Sequence, residues 1–153
     1  MDDPDHIRGW QRMSDRVTTS GRIEADDIAR LADLGVRHVI NLALAEHPEA
    51  LGDEAVLLAE AKIAYTHIPV PFDAPDEQHF AAFVRALDTA EGALHVHCIM
   101  NWRVSAFFYR YNREHAGMDE VQARELMEKQ WSPASNPHPD APAWARFIGW
   151  EYT

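Results

Sequence analysis

Cysteine occurs only once in these 153 residues, at position 98, so no disulfide can close within the chain. Basic residues are also few: 14 Lys and Arg stand against 25 Asp and Glu, giving a formal net charge of −11. Such a chain lacks the basic surface that displaces counterions from nucleic acid, and an anionic membrane face would repel it, so neither is an expected partner. No apolar run is long enough to cross a bilayer. The N-terminal Met1-Asp2-Asp3-Pro4-Asp5 is acidic with no apolar core behind it, unlike a signal peptide, so the expected location is the cytoplasm. Histidine is plentiful, at nine residues, yet its spacing offers no metal shell. His95 and His97 lie two apart on one strand face, with no nearby Cys, Asp or Glu to complete a ligand set, so neither metal nor cofactor is expected.

The length fits one domain, residues 1–153, able to bury a core of its own. Residues 1–15 carry Trp10 but no periodicity and suggest a wrap or edge element, followed by a short strand at Val17-Thr18-Thr19. Ile28, Leu31 and Ala32 mark one helical face that Gly35 terminates. A buried strand follows over Val36 to Leu42. Leu51, Ala55, Leu58 and Ala59 then recur at helical spacing up to Lys62, and Ile63 to Val70 reads as another strand. Phe80, Phe83, Val84 and Leu87 form a further stripe, with Asp76 placed to cap it. Gly92 opens the strand leading to Cys98, and Val104, Phe107, Phe108 and Tyr111 give the next helix an apolar side. Asp119 and Gln122 stand at capping-box spacing before a helix reaching Trp131. Residues 132–142 read as a loop, and Trp144, Phe147 and Ile148 as a helix over about 141–150 that docks back onto the domain. Strands alternating with helices predict an α/β domain: a short, mostly parallel sheet with helices on both faces.

The chemistry concentrates in His97-Cys98-Ile99-Met100-Asn101-Trp102-Arg103-Val104-Ser105, where a thiol sits between the end of a strand and the start of a helix. N–H groups in such a loop converge on one spot, and the positive end of the helix dipole adds to them, which suits a phosphate-sized anion. The same field favours a thiolate, the reactive form of cysteine. Arg103 contributes a planar fork matched to two oxygens of a tetrahedral anion. The alternatives are a thiol that merely packs and an Arg103 paired with a surface carboxylate. Asn101 tolerates a left-handed backbone where glycine is absent. Trp102 walls the pocket, stacks on an aromatic leaving group or packs against the domain.

This stretch resembles the signature of the cysteine phosphatases: His-Cys, five residues, Arg, then Ser or Thr. Here four residues separate Cys98 from Arg103, while Ser105 keeps its register to the cysteine. One residue near a helix start swings a side chain by about 100°. The spacing is similar to that of a bacterial phosphatase-like family of unassigned function, also found fused to metallo-hydrolase domains, whose loop reads His-Cys-x-x-Asn-x-Arg-x-Ser-Ala-Phe. The likeness includes Thr19-Ser20-Gly21, Leu34-Gly35-Val36, Val39-Ile40-Asn41-Leu42 and Tyr65-Thr66-His67-Ile68-Pro69-Val70, and so covers about residues 14–131.

The resemblance implies a dual-specificity-phosphatase-like fold and cofactor-free hydrolysis of a phosphomonoester, on a small molecule or a phosphoprotein, with phosphotyrosine among the candidates, through a phosphocysteine. Cys98 would attack, with Arg103 and the N–H groups of Ile99, Met100, Asn101 and Trp102 holding the phosphoryl oxygens. In phosphatases of this kind an aspartate on an earlier loop protonates the leaving group. Asp73 is the candidate, because Asp76 is the better helix cap; turn chemistry alone also explains an Asp there. His97 would prop the cysteine, and strand alternation turns it away from Cys98. Ser105 would either donate to the thiolate or bond within the first helical turn. A loop one residue short implies weak activity. A four-residue loop also resembles that of rhodanese-type sulfurtransferases, which carry a persulfide and need no aspartic acid, and a non-catalytic phosphate-binding module would use the same donors.

Overall fold

In the computed structural model, which describes residues 2–150, five strands form one sheet in the order β1-β2-β5-β3-β4. They are β1 (Gln11–Arg12), β2 (Val17–Ser20), β3 (Val36–Asn41), β4 (Ala64–His67) and β5 (Ala93–His97). Central β5 is parallel to β2 on one side and to β3 on the other, and β3 is parallel to β4. Only β1 is antiparallel, pairing Gln11 with Thr19. Among the described residues there are six helices: α1 (Ala25–Asp33), α2 (Glu54–Glu60), α3 (Glu77–Thr89), α4 (Trp102–Glu114), α5 (Glu120–Glu128) and α6 (Ala141–Phe147).

Side chains alternate across a strand, so each face of the sheet needs its own cover. Ile40, Leu94 and Val96 face Phe83 of α3 and Phe107 of α4, with Met127 of α5 and Trp144 of α6 in the same cluster. Val36 and Val39 face Ile28 and Leu31 of α1 and Leu58 of α2. The sheet is therefore mostly parallel with helices on both faces, as the alternating pattern predicts.

Local chemistry sets the element ends. Asp76 accepts the His79 N–H at 2.9 Å and starts α3, as expected. Asp119 precedes α5 without a side-chain cap bond, contrary to the capping-box expectation. α5 also stops at Glu128, short of Trp131, whose indole instead donates to the Trp102 carbonyl at 2.9 Å. β4 closes at His67, although Ile68 and Val70 still donate to Asn41 and Leu42 at 2.9 and 3.0 Å. Pro69 and Pro71 have no N–H and break the ladder. Trp144 of α6 is fully buried, and its indole donates to the Phe72 carbonyl at 2.7 Å, which ties this helix to the segment after β4.

His95 and His97, on the second face of β5, are buried with the hydrocarbon of that side. Thr18 Oγ1 and Ser20 Oγ of the neighbouring strand each lie 2.8 Å from a ring nitrogen of His95, and Trp10 stacks on it at 5.0 Å. Burial, reinforced by the adjacent His97, holds the His95 pKa well below its ordinary value. The native state therefore refuses a proton that the unfolded chain accepts once the pH falls below about 6.5, the ordinary histidine value. This contribution to stability is intact above that pH and is lost at up to about 1.4 kcal/mol per pH unit below it. Urea unfolding followed from pH 7.5 to 5.5 should show this slope, and a His95→Gln variant should flatten it.

Candidate active site

The segments that leave β3, β4 and β5 at their carboxyl ends converge on one cavity of about 370 Å³. Crevices at that edge are where parallel α/β sheets hold ligands. β5 delivers Cys98, Ile99 and Met100, α4 begins with Trp102 and Arg103, and the segment after β4 supplies Phe72. Leu44 and His47 enter from the β3–α2 connection and His138 from the loop before α6. The cysteine, the arginine and the loop between them thus share one concavity.

Arg103 is only 6% exposed. Its Nη1 donates to the Val70 carbonyl at 2.9 Å, and its guanidinium carbon lies 5.8 Å from the Phe72 ring centre. Among the described residues no carboxylate forms an ion pair with it, which removes the surface-pairing alternative. A buried cation with a neutral carbonyl and an aromatic ring for company is poorly compensated and attracts an anion.

The loop is gripped from the N-terminal side. Cys98 donates its N–H to the Ser20 carbonyl at 3.3 Å, and the Ile99 carbonyl accepts the Arg22 N–H at 2.8 Å. Gly21 packs so closely that a Cβ there would overlap the Ile99 carbonyl oxygen. Asn101 adopts the left-handed conformation foreseen for it, φ 67°, as the N-cap of α4. Its buried carboxamide donates to the Gly9 carbonyl at 2.7 Å and to Thr19 Oγ1 at 3.0 Å. The side chain therefore clamps the loop to the N-terminal segment and makes no cap bond to α4. Among the described residues the N–H groups of Ile99 through Arg103 find no protein acceptor.

Ser105 and Trp102 settle between their alternatives, and Asp73 leaves its expected place. The Ser105 hydroxyl donates to Asn101 Oδ1 at 3.0 Å, since a residue four positions into the helix lies over the N-cap; of the two readings of Ser105, the bond within the first turn is the one formed. Asp73 is exposed on the turn after Phe72 and is not among the residues lining the cavity. Trp102 lines the cavity and also packs on the domain, stacking on Trp131 at 5.0 Å and 7°.

His97 turns to the far face, as alternation requires. Its Nε2 donates to Glu54 Oε2 at 2.6 Å, and its Nδ1 lies 3.2 Å from the Cys98 carbonyl oxygen. Asn41 Nδ2 reaches Glu54 Oε1 at 3.4 Å and Tyr65 at 3.1 Å. Burial pushes the Tyr65 hydroxyl up to about 12, so it stays protonated. Glu54 was not foreseen, although it sits at helical spacing between Leu51 and Leu58 on the face of α2 that turns inward. His47 and His138 were likewise unassigned. Applied to the β3–α2 connection, the carboxyl-edge rule would have found His47, whereas no local pattern marks His138.

The phosphatase-like domain of beta-lactamase hydrolase-like proteins matches residues 10–109. The chain belongs to that family. Curated relatives include beta-lactamase hydrolase-like proteins of two Xylella fastidiosa strains, each 35% identical over 89 residues, which is 56% of this chain and 21% of theirs. The chain therefore spans about a fifth of the length of the curated relatives it matches. Among solved structures, an inferred phosphatase of Shewanella putrefaciens is 28% identical with a TM-score of 0.78, over 96% of this chain and 92% of its own. TpbA of P. aeruginosa is 25% identical with a TM-score of 0.71, over 95% and 88%. A Cys-to-Ser variant of TpbA has been solved in complex with phosphotyrosine. The two likenesses to solved structures each cover 95% or more of this chain.

Two variants probe how the loop is held. Glu54→Ala strands His97 in a buried site and should cost about 3–5 kcal/mol in urea unfolding, the range for breaking a buried pair. Gly21→Ala must displace the Ile99 carbonyl; proteolysis should then cut near residue 99 faster than in the wild type, while an Ala at exposed Gly52, where a Cβ meets nothing, should leave cutting unchanged.

Proposed function

We propose that this domain hydrolyses phosphomonoesters through a phosphocysteine on Cys98. The observation that carries the reading is the buried, carboxylate-free Arg103 on the same cavity as the thiol. An incoming phosphoryl group supplies the negative charge that Arg103 lacks, and the fork of its guanidinium fits two of the oxygens. The open N–H groups of residues 99–103 take the remaining charge, which grows on these oxygens as the sulfur bonds to phosphorus. The thiolate then lies against phosphorus, and no metal is needed to polarise the ester. Asp73 stands outside the cavity, so the reading rests on Cys98, Arg103 and the loop amides.

Phe72 and Trp102 give the mouth flat apolar walls, which suit an aryl ester, and the phosphotyrosine complex of TpbA supports the same choice. Phosphotyrosine, free or in a protein, is therefore the substrate class we assign. The cycle requires a reduced thiol throughout, which fits the cytoplasm. Activity is expected to be weak: the loop is one residue short of the usual phosphatase loop, and a single missing oxyanion donor is worth about 3 kcal/mol.

Parallel assays of wild type, Cys98→Ser and Arg103→Ala with an aryl phosphate and with thiosulfate plus cyanide test the reading. Aryl phosphate turnover should vanish in Cys98→Ser and fall at least about 100-fold in Arg103→Ala. Turnover of thiosulfate alone would make the protein a sulfurtransferase. Phosphate binding that survives in Cys98→Ser, with no turnover of either compound by the wild type, would make it a binding module.

A further inference from the structure

Among the described residues no carboxylate lines the cavity; Leu44, Phe72, Ile99, Met100 and Trp102 are apolar, and the ionisable groups beside Cys98 and Arg103 are His47 and His138. Expulsion of an ester oxygen from phosphorus goes faster when an acid protonates it, and a cavity without a carboxylic acid must find that proton elsewhere. The two histidines differ in how they could carry one. Each has a Nδ1 that accepts a backbone N–H at 3.0 Å, from Glu49 for His47 and from Asp140 for His138. A neutral ring so held carries its proton on Nε2. To act as an acid the ring must take a second proton at Nδ1, which gives up the bond from that backbone N–H, and a carboxylate must be near to accept from the new Nδ1–H. Asp140 Oδ2 lies 3.9 Å from His138 Nδ1. The carboxylate of Glu49 is already engaged by Arg8 at 2.9 Å and Arg22 at 3.6 Å. His138 is also the better seated: its backbone N–H bonds Asn136 Oδ1 at 2.9 Å, and its ring stands edge-on to Phe72 at 4.8 Å and to Trp102 at 6.5 Å.

We infer that His138, backed by Asp140, is the acid that protonates the leaving group, in place of the loop aspartate expected at Asp73. The inference rests on the phosphocysteine reading above. As the Cys98 sulfur bonds to phosphorus, the ester P–O bond breaks, its electron pair goes to the departing oxygen, and the Nε2 proton of the His138 imidazolium moves to that oxygen. The ring is left with its proton on Nδ1, on the side of the Asp140 carboxylate, and its bare Nε2 then accepts a proton from water as the water oxygen bonds to phosphorus. The S–P bond breaks with its pair returning to sulfur, so phosphate leaves and both imidazolium and thiolate are restored. Asp140 holds the ring in both steps and is a positioning residue.

Leaving-group dependence reads this role directly, because an acid matters most for a poor leaving group. Wild type, Cys98→Ser, His138→Gln and Asp73→Asn are compared on para-nitrophenyl phosphate and phenyl phosphate, with thermal unfolding as a check that each variant is folded. His138→Gln should lower kcat/KM for phenyl phosphate by about 100-fold or more and for para-nitrophenyl phosphate by less than about tenfold. Equal losses on both esters would reduce His138 to packing and overturn the inference. The same selective loss in Asp73→Asn instead would return the role to Asp73 and overturn it too. Failure of the parent reading looks different: the wild type turns over neither ester, or Cys98→Ser is as active as the wild type, and then the assignments of Cys98 and of His138 fall together.

Discussion

A guanidinium withdrawn from water with no carboxylate beside it is the constraint on which the site depends. Burying a charge costs several kcal/mol unless it is compensated, and the compensation within this fold is a backbone carbonyl and the face of Phe72. A phosphate-sized anion about 4 Å away would return about 4 kcal/mol per charge pair in surroundings of intermediate polarity. That local term explains how a chain of net charge −11 can attract an anionic substrate at all. The distant carboxylates are screened over about 8–10 Å at ordinary ionic strength, whereas a donor inside the cavity is not. A net negative charge therefore does not close a pocket that carries its own cation.

Central β5 sets the layout on which that cation is mounted. Its alternation sends Leu94 and Val96 into hydrocarbon on one face and His95 and His97 into a polar strip on the other. The strip is hydrogen-bonded: Thr18 and Ser20 attend His95, and Glu54 attends His97. Such polar contacts contribute little net stability, but leaving any of them unmade is expensive, so they fix β2, β5 and α2 in a single register. The thiol at the end of β5 inherits that fixed register.

The fold and the core of the site were legible because local signals carry them. Periods of two and 3.6 marked the parallel strands and the helices, and the order His97-Cys98-x4-Arg103 marked the loop. What was not legible lay in long-range contacts or in direction. His138 comes from 40 positions beyond Cys98, on a loop rich in proline that has no periodicity to interpret. Asp73 and Phe72 are neighbours in sequence, yet a turn sends the apolar ring into the cavity and the carboxylate to solvent. Ser105 had two possible partners, and the spacing of four to Asn101 was the signal that favoured the helical one. Glu54 could have been found by asking why a charged residue occupies a position that the face of α2 reserves for apolar side chains.

The uncapped start of α4 unites these observations. An N-cap residue ordinarily turns its side chain back to accept from the N–H groups of the first helical turn, which neutralises the end of the helix. Asn101 occupies that position in the left-handed region, where its carboxamide points away and binds Gly9, Thr19 and Ser105. One residue therefore does two things: it anchors the loop to the N-terminal segment, and it leaves the helix end without an acceptor of its own. A serine or threonine at 101 would offer the first turn a cap but reach neither Gly9 nor Thr19, and an aspartate would add a negative charge where an anion must sit. An amide that is neutral, able to donate twice and tolerant of positive φ satisfies all these demands at once. The helix dipole is thus left open toward the cavity that also holds Cys98 and Arg103.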